Sequence, residues 1–494
     1  MPSWQYDTFY AQNFEGVKMQ IKFILFFLFL WLLMPATSAF AQSRDTVFSK
    51  QGTMRVIPFD YDPRLREVVI SVEINGQSFL FTVDTGSSTA LTLNTWAAAA
   101  LKLKPVPTGR HYLPGNLPIL DVRLRTFRNP FTGREQHNVP ADVCNIHQLL
   151  SQPLLAGILG APIIASAILR FDFAAKTITV FDQYPPSPPG QEATRIPLTF
   201  DFGGRYFVPV CLVGGASTQL LLDTGSDHSR IPLSQIAGVP SLGTQNCVVE
   251  DINGTAWFLF SLLLPSLKIG GFTESNVDVT VTPPGERALL GLDLLSRFRV
   301  TLNLSRCEML LERASDYNER IRILGELPLT LTYKESGWFV QNVEEHSEAE
   351  HAGLHKGDRL LAIDGHLINT YSLQEIRRWL RGFAEEEVDL TVEHAGGQQA
   401  HVRCKRESNY EPLHRLFEGL IMKKPQGQCL TIVAIVKGTP AERSKCRIGD
   451  KITTINGQST DRMTAAQVFH ELQKEEVNIQ IERVGWQNGK GSKK

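Results

Sequence analysis

The chain has 494 residues, of which 43% are hydrophobic and 20% are charged, and its formal net charge is −1. A chain of this length can form several hydrophobic cores, so we expect three or four domains. The near-neutral charge and the lack of a basic stripe exclude the usual electrostatic basis of nucleic-acid binding. The sequence has no CxxC pair and no His/Cys pairing at metal-ligand spacing, so we expect neither a metal nor a cofactor.

The N-terminal segment has the features of an export signal. Lys22 precedes a 12-residue apolar run that ends at Met34, and the small-residue pattern Ala39-Phe40-Ala41 follows. We predict a signal peptide over residues 1–41, and a start at Met19 would give it an ordinary length. We therefore expect export, first of all to the periplasm. Secretion, or anchoring in a membrane by an uncleaved signal, is the alternative.

The triplet Asp-Thr-Gly occurs twice in matched surroundings. One copy is Asp84-Thr85-Gly86, followed by Ser87, and the other is Asp223-Thr224-Gly225, followed by Ser226. Each copy follows an apolar run, and two matched copies are far stronger evidence than one chance triplet. The doubling predicts two facing carboxylates.

The residues around the two triplets also repeat, which indicates an internal duplication. Residues 72–88 align without gaps on residues 211–227, an offset of 139. Each copy has a hairpin signal, Asn75-Gly76 or Gly214-Gly215, where a type I′ turn needs positive φ at both central positions. We infer a duplicated, mostly β unit of about 120 residues.

These motifs resemble those of retropepsin-like aspartic proteases, whose monomers carry one Asp-Thr-Gly each and pair about a two-fold axis. Ile158-Leu159-Gly160 and Leu289-Leu290-Gly291 resemble the second signature of that family. The resemblance implies two closed β-barrel lobes that form one pseudo-two-fold aspartic protease unit. We place lobe 1 at 57–183, a Pro-rich linker at 184–195 and lobe 2 at 196–313.

By this resemblance, Asp84 and Asp223 are the catalytic pair. Two carboxylates at hydrogen-bond distance share a proton, so one can activate water while the other donates to the peptide carbonyl. The glycines of the two triplets let the loops approach closely, and Thr85 and Thr224 would hydrogen-bond across the axis. Which aspartate holds the proton is open at this stage. We expect pairing within one chain, and pairing between like halves of two chains is the alternative.

The family covers its substrate with hairpin flaps. The candidate in lobe 2 is VVEDINGTAWFLF, with a turn at Asn253-Gly254, and the candidate in lobe 1 is HYLPGNLPI around Pro114-Gly115-Asn116. No serine-hydrolase elbow, HExxH helix or P-loop occurs.

A second repeat follows lobe 2 after a polar run that we expect to form a short helical connector. Residues 352–369 align on residues 444–461 at an offset of 92, and each copy follows a strand and precedes an amphipathic helix. This pattern resembles PDZ domains, which implies two α+β domains, PDZ1 (320–406) and PDZ2 (410–486), before a basic tail (487–494). His351 and His355 lie in the turn of PDZ1, and we assign no metal to them.

PDZ domains bind the C-terminal carboxylate of a peptide that adds as a strand. At the offset of 92, the carboxylate loop is Leu327-Pro328-Leu329-Thr330 in PDZ1 and Gly419-Leu420-Ile421-Met422 in PDZ2. Because proline has no N–H to donate, we predict PDZ2 as the carboxylate binder, whereas PDZ1 is structural or binds internal segments. Both domains could instead serve as spacers or docking surfaces.

Taken together, these features predict an exported aspartic endopeptidase whose partners are protein or peptide substrates. The main alternative is a non-catalytic adaptor that binds peptides through degenerate protease lobes. A third hypothesis is self-cleavage near residues 313–325, which would release the PDZ domains.

Overall fold

The computed structural model describes residues 55–63, 66–112, 117–146, 154–185, 192–236, 238–250, 255–320, 323–334, 337–344, 346–369, 371, 376, 379–408, 419–437, 439–444, 446–472, 474 and 477–483. The predicted signal peptide and basic tail lie outside these ranges, as do the two predicted flap turns at 113–116 and 251–254. Among the described residues, no helix has the length and apolar character needed to cross a membrane.

Lobe 1 closes into a barrel. Its sheet runs β2-β3-β8-β4-β7-β6, and a further pairing of β2 with β6 closes the ring, with β5 added outside β6. β3 and β8 are parallel, as are β4 and β7. The elements are β1 (Arg55–Pro58), β2 (Val69–Ile74), β3 (Gln77–Asp84), β4 (Leu91–Asn94), α1 (Thr95–Ala100), β5 (Val106–Tyr112), β6 (Leu117–Arg128), β7 (Glu135–Cys144), β8 (Leu155–Gly160), α2 (Ala161–Ile164), β9 (Ile168–Asp172) and β10 (Thr177–Phe181).

Lobe 2 repeats this barrel strand for strand. Its elements are β11 (Ala193–Pro197), β12 (Thr199–Phe200), β13 (Tyr206–Leu212), β14 (Ser217–Leu222), β15 (Arg230–Pro232), α3 (Leu233–Ile236), β16 (Gly243–Glu250), β17 (Ala256–Ile269), β18 (Phe272–Thr282), β19 (Leu289–Leu290), α4 (Leu292–Leu295), β20 (Phe298–Asn303), a 3₁₀ turn (Leu304–Arg306) and β21 (Glu308–Arg313). The ring is β13-β14-β19-β15-β18-β17, closed by β13 with β17, and β16 pairs with β17 as β5 does with β6. The predicted duplication and the two closed barrels are therefore confirmed.

The hairpin turns of the two copies differ by one residue. In lobe 1, Ile74 pairs with Gln77, and Asn75 and Gly76 between them have φ of 51° and 77°, as a type I′ turn requires. In lobe 2, the backbone N–H of Leu212 donates to the carbonyl of Ala216, so the loop has three residues instead of the predicted two. Both of its glycines still have positive φ.

A six-stranded sheet joins the lobes in the order β1-β10-β9-β20-β21-β11, three strands from each. β9 and β10 alternate half-buried and buried residues, so each places one apolar row, such as Leu169 and Phe171, into the core. β9 meets β20 at the centre, where Arg170 pairs with Thr301. β11 begins at Ala193, inside the predicted linker, because it extends the sheet along β21.

The connector and PDZ1 follow lobe 2. A short helix lies in the predicted connector, and the PDZ1 sheet runs β23-β24-β25-β28-β29. The elements are α5 (Tyr317–Arg320), β22 (Leu324–Gly325), β23 (Leu329–Lys334), β24 (Gly337–Val343), α6 (Glu348–His351), β25 (Arg359–Ile363), β26 (His366–Leu367), β27 (Gly382–Phe383), β28 (Glu387–Glu393) and β29 (Gln399–Lys405).

PDZ2 has its own core but shares a sheet with lobe 2. Its elements are β30 (Leu420–Lys424), β31 (Leu430–Ile435), α7 (Pro440–Arg443), β32 (Lys451–Ile455), β33 (Gln458–Ser459), α8 (Ala465–Leu472) and β34 (Ile479–Glu482). The predicted amphipathic helix is α8, which contributes Val468 and Leu472 to the core. β30 pairs on one side with β31 and on the other with β17 of lobe 2.

Candidate active site

The two predicted aspartates meet between the lobes. Asp84 is the last residue of β3, and Asp223 directly follows β14, so the two strands deliver matching loops to one point. The two side chains are hydrogen-bonded to each other, and both are half-buried. The pairing therefore occurs within one chain, as predicted.

The threonines of the two triplets cross the interface between the lobes. The Thr85 hydroxyl donates to the carbonyl of Leu222 at 2.8 Å and accepts from the N–H of Thr224 at 3.0 Å. The Thr224 hydroxyl donates to the carbonyl of Val83 at 2.7 Å and accepts from the N–H of Thr85 at 3.0 Å. These four bonds are reciprocal and buried, so they fix the two loops in register. The predicted threonine contact is confirmed.

The glycines of the triplets are required by space. A Cβ on Gly86 would lie 2.6 Å from Cγ of Asp223, and a Cβ on Gly225 would lie 2.7 Å from Oδ1 of Asp84. Either methyl group would therefore collide with the carboxyl group of the other lobe. In the same loops, the N–H groups of Gly86 and Gly225 donate to the aspartate of their own triplet, at 2.7 and 3.0 Å.

The second signature of each lobe is hydrogen-bonded to the Asp-Thr-Gly loop of the same lobe. The carbonyl of Ser87 accepts the N–H of Ala161 at 2.9 Å, and the carbonyl of Ser226 accepts the N–H of Leu292 at 2.8 Å. The Ser226 hydroxyl also donates to the carbonyl of His228 at 2.8 Å. The two predicted serines thus connect each triplet to the helix that follows its aliphatic-aliphatic-Gly element.

The electrostatic environments of the two carboxyls differ. Burial raises the pKa of Asp84, while the hydrogen bond from Asp223 and the N–H groups of Gly86 and Ser87 act in the opposite direction. Burial, the charge of Asp84 and the hydrogen bond to Asp84 together raise the pKa of Asp223 well above its ordinary value. The two carboxyls therefore titrate as one coupled pair that shares a proton, and the pKa of Asp223 is the more strongly raised of the two.

Comparison with known families agrees with this geometry. The profile described as an aspartyl protease matches residues 70–163, and the gag-polyprotein aspartyl protease profile matches residues 210–297. The PDZ domain profile matches residues 339–394 and 431–483. The chain has two retropepsin-like aspartic protease lobes fused to two PDZ domains.

Solved structures resemble parts of this retropepsin-like chain only weakly. The aspartic proteinase from Irpex lacteus is 15% identical, with a TM-score of 0.34 over 54% of this chain and 99% of that chain. Basic 7S globulin from soybean is 11% identical, with a TM-score of 0.30 over 53% and 95%. A photosystem II D1 C-terminal processing protease is 22% identical, with a TM-score of 0.17 over 17% of this chain and 23% of that chain, so less than two thirds of its length is spanned. No curated protein matches the chain.

A buried hydrogen-bond network that was not predicted from the sequence lies beside the second Asp-Thr-Gly loop. Asp293 accepts hydrogen bonds from the N–H and the hydroxyl of Ser229, at 2.8 and 2.7 Å, and the same hydroxyl accepts the N–H of Gly291 at 3.1 Å. Burial raises the pKa of Asp293. Ala90 and Pro162 occupy the equivalent places of lobe 1, so that lobe has no such side chains there. The signal in the sequence is the single acidic residue within the apolar segment ALLGLDLL.

PDZ1 also reaches the loop that follows the second triplet. The Arg381 guanidinium lies 3.3 Å from Nε2 of His228, and the Arg66 guanidinium of lobe 1 lies 2.9 Å from Nδ1 of the same ring. Arg381 is held in turn by Glu326 at 3.2 Å. Nothing local in the sequence of PDZ1 marks Arg381 for this contact, because its partner lies 153 residues earlier in the chain.

The predicted carboxylate loops occupy equivalent places, but the predicted alignment was wrong by one residue. Leu329 pairs with Val343 in PDZ1, and Leu420 pairs with Ile435 in PDZ2. The offset is 92 at the second strand but 91 at the loop, so Gly419 corresponds to Pro328. PDZ1 therefore carries its proline in place of the glycine of PDZ2, where φ is 97°.

Among the described residues of PDZ1, one group of side chains could ligate a metal: His355, Asp358 and His394. Asp358 already accepts the N–H of His355 at 2.8 Å and contacts Nδ1 of His394 at 2.9 Å. The equivalent Asp450 of PDZ2 accepts the N–H of Arg447 at 2.9 Å in the same way. Because both copies use this aspartate to close the turn, its structural role explains its position.

Proposed function

We propose that the chain is an exported aspartic endopeptidase and that its PDZ domains recruit or position protein substrates. The observation that supports catalysis most strongly is the pair of unequal carboxyls, Asp84 and Asp223, held face to face by the reciprocal threonine bonds. Two intact aspartates in register are needed for hydrolysis, whereas peptide binding alone does not require them.

The more strongly raised pKa of Asp223 suggests the roles of the two residues. Asp84, as the carboxylate, takes a proton from a water molecule whose oxygen attacks the peptide carbonyl carbon, while Asp223 gives its proton to the carbonyl oxygen. The resulting tetrahedral diol breaks its C–N bond when a proton moves from the acid form of Asp84 to the amide nitrogen. A diol hydroxyl proton then returns to Asp223, and the starting state is restored without a covalent enzyme intermediate.

Turnover of a quenched random-peptide library between acid and neutral pH tests this proposal. We expect Asp84→Asn and Asp223→Asn each to lower kcat/KM by about 10²–10⁴-fold, because each removes one partner of the acid–base pair. Asp121→Asn, the same chemical change at an exposed carboxyl of lobe 1, is the matched control and should leave turnover unchanged.

The outcomes separate the proposed enzyme from its alternative. Equal losses in both folded variants would support a single shared dyad. If either variant keeps full activity, the dyad mechanism is wrong. If the folded parent chain binds peptides but cleaves none at any pH, the non-catalytic adaptor replaces the enzyme as the better proposal.

Export is tested separately, because it depends only on the N-terminal segment. We expect the mature N-terminus of the protein recovered from the cell envelope to start just after Ala41. A chain recovered only from the cytoplasm with its N-terminal residues intact would contradict export.

A further inference from the structure

The strand that follows the carboxylate loop of PDZ2 is already paired along its outer edge. β30 pairs antiparallel with the first residues of β17, with Ala256 opposite Lys424 and Phe258 opposite Met422. β17 is one arm of the hairpin in lobe 2 that contains the predicted flap turn. Lobe 2 therefore adds a strand to PDZ2 in the way that PDZ domains bind extended peptides.

The side chains of this added strand alternate as those of a bound peptide do. Ala256 and Phe258 are 3% and 4% exposed, and both belong to the PDZ2 core that contains Met422 of β30 and Val468 of α8. Trp257 between them points to the other face, where the ammonium group of Lys423 lies 6.0 Å from its ring centroid. The segment thus gives PDZ2 a small residue and an aromatic residue at positions i and i+2.

The direction of the strand also matches a ligand. Residue numbers along β17 increase as the paired numbers along β30 decrease, so the chain runs towards Gly419 at the start of the predicted carboxylate loop. It does not end there, because Leu259 and Phe260 continue into the core of lobe 2. PDZ2, the domain predicted to bind a C-terminal carboxylate, therefore holds an internal segment at this edge.

The equivalent edge of PDZ1 shows that this pairing is not a general property of the two domains. β23 corresponds to β30, and among the described strands it pairs only with β24. The two copies of the fold thus differ in whether a strand of the protease unit covers the peptide edge.

We propose that the β30 edge of PDZ2 is an exchangeable peptide site whose resident occupant is the segment Ala256–Phe258 of the lobe 2 hairpin. An extended peptide with a small residue and an aromatic residue at alternate positions, and a free C-terminus, competes with that segment and releases the hairpin. If the proposed peptidase activity holds, PDZ2 occupancy thereby controls the hairpin next to the substrate site of that activity.

The competition has a measurable consequence. A site that is occupied by its own chain most of the time binds an outside peptide with an apparent affinity reduced by the fraction of time that it is open. Weakening the resident segment should therefore strengthen peptide binding. A mutation of a residue that does not contact the β30 edge should not.

The experiment uses the mature chain carrying Asp84→Asn, so that the probe is not cleaved. The probe is a fluorescein-labelled peptide that ends in Thr-Ala-Tyr-Phe with a free carboxylate, and its Kd is measured by anisotropy. We expect Phe258→Ala to lower the Kd at least about tenfold. Phe202→Ala, which truncates a fully exposed phenylalanine of the same lobe, should leave the Kd unchanged.

Hydrogen exchange of the Asp84→Asn chain with Phe258 unchanged gives an independent result. The proposal can therefore be tested even if the Phe258→Ala chain does not fold. Saturating peptide should speed amide exchange in residues 256–260 and leave β30 protected, because the outside peptide takes over its hydrogen bonds. Peptide binding with no change in residues 256–260, or no binding to either the parent or the Phe258→Ala chain, would overturn the proposal. Both readouts are independent of turnover, so a failed peptidase assay and a failed exchange test remain distinguishable.

Discussion

Lobe 1 and lobe 2 have the same strand order and the same Asp-Thr-Gly loop, but their surroundings differ. In lobe 1, the hairpin β5–β6 pairs within its own lobe among the described strands. In lobe 2, the equivalent hairpin pairs with PDZ2, and the loop after Asp223 contacts Arg381 of PDZ1. The duplication is thus best preserved where the two halves meet, and it has diverged where only one half faces the PDZ domains.

We expect mutation to reveal the largest difference between the lobes at the end of the short helix that follows the second signature. Lobe 2 places Arg297 there, 3.5 Å from the fully buried Glu274, which also pairs with Arg313, whereas lobe 1 has Ser166 at the equivalent place. We expect Glu274→Gln to lower the free energy of unfolding by about 3–5 kcal/mol, because it leaves a buried guanidinium without its counter-charge. Ser166→Ala should lower the free energy of unfolding by only about 1 kcal/mol. A denaturant titration of each variant measures both changes. Equal losses of unfolding free energy would show that Glu274 and Ser166 contribute equally to stability.

The reciprocal threonines should respond alike in both lobes. Thr85→Val and Thr224→Val each leave one buried carbonyl and one buried N–H without a partner, so we expect each to lower the unfolding free energy by about 2–4 kcal/mol. Thr→Ser at either position keeps the hydroxyl and should recover most of the loss. A clear inequality between the two valine variants would contradict the symmetry of the central contact.

Removing the PDZ1 contact should affect the loop of lobe 2 alone. Arg381→Met deletes the guanidinium beside His228, and we expect about fivefold faster amide exchange in residues 226–229, the equivalent of one lost hydrogen bond of about 1 kcal/mol. Exchange in residues 87–90 of lobe 1 should not change. Arg403→Met, at an exposed arginine of PDZ1, is the control. An equal response in both loops would mean that the contact acts on the whole protease unit.

The smallest effect concerns pH, and it depends on an arginine present in one lobe only. The positive charge of Arg230 opposes the raised pKa of Asp223, whereas Leu91 occupies the equivalent position in lobe 1. Because that charge favours the ionised carboxylate, Arg230→Gln should raise the pKa of Asp223 further and move the alkaline limb of the kcat/KM profile to higher pH. Arg230→Lys keeps the charge and should leave the limb in place. A downward move would contradict the proposed proton on Asp223.

The sequence was sufficient to predict the elements whose signals are local. The Asp-Thr-Gly loops, the Asn75-Gly76 turn and the helix around Val468 each follow from short patterns that one turn or one helix face enforces. The pairing of Thr85 with Thr224 was predicted from the resemblance to retropepsin-like proteases, whose two loops meet at a two-fold axis.

The contacts that couple the domains were not predictable. Neither Phe258 nor Arg381 has a neighbour in sequence that marks its partner, because both partners come from distant strands or loops. The predicted carboxylate loop of PDZ1 was wrong by one residue because the offset of 92 was applied along the whole repeat. The segment from Leu329 to Val343 is one residue shorter than its equivalent from Leu420 to Ile435 in PDZ2. The asymmetry of the dyad required three-dimensional information, since identical triplets give no reason for the pKa of Asp223 to be raised more strongly than that of Asp84.

The shared six-stranded sheet has a consequence for synthesis. During synthesis, the edge of β9 that pairs with β20 stays unpaired until β20 has been made. Residues 173–297 separate the two strands in the sequence. An unpaired strand edge invites pairing with another nascent chain. Arg170, which donates to Thr301 in the folded sheet, places a charge on the unpaired edge of β9, and we expect this charge to oppose association of incomplete chains.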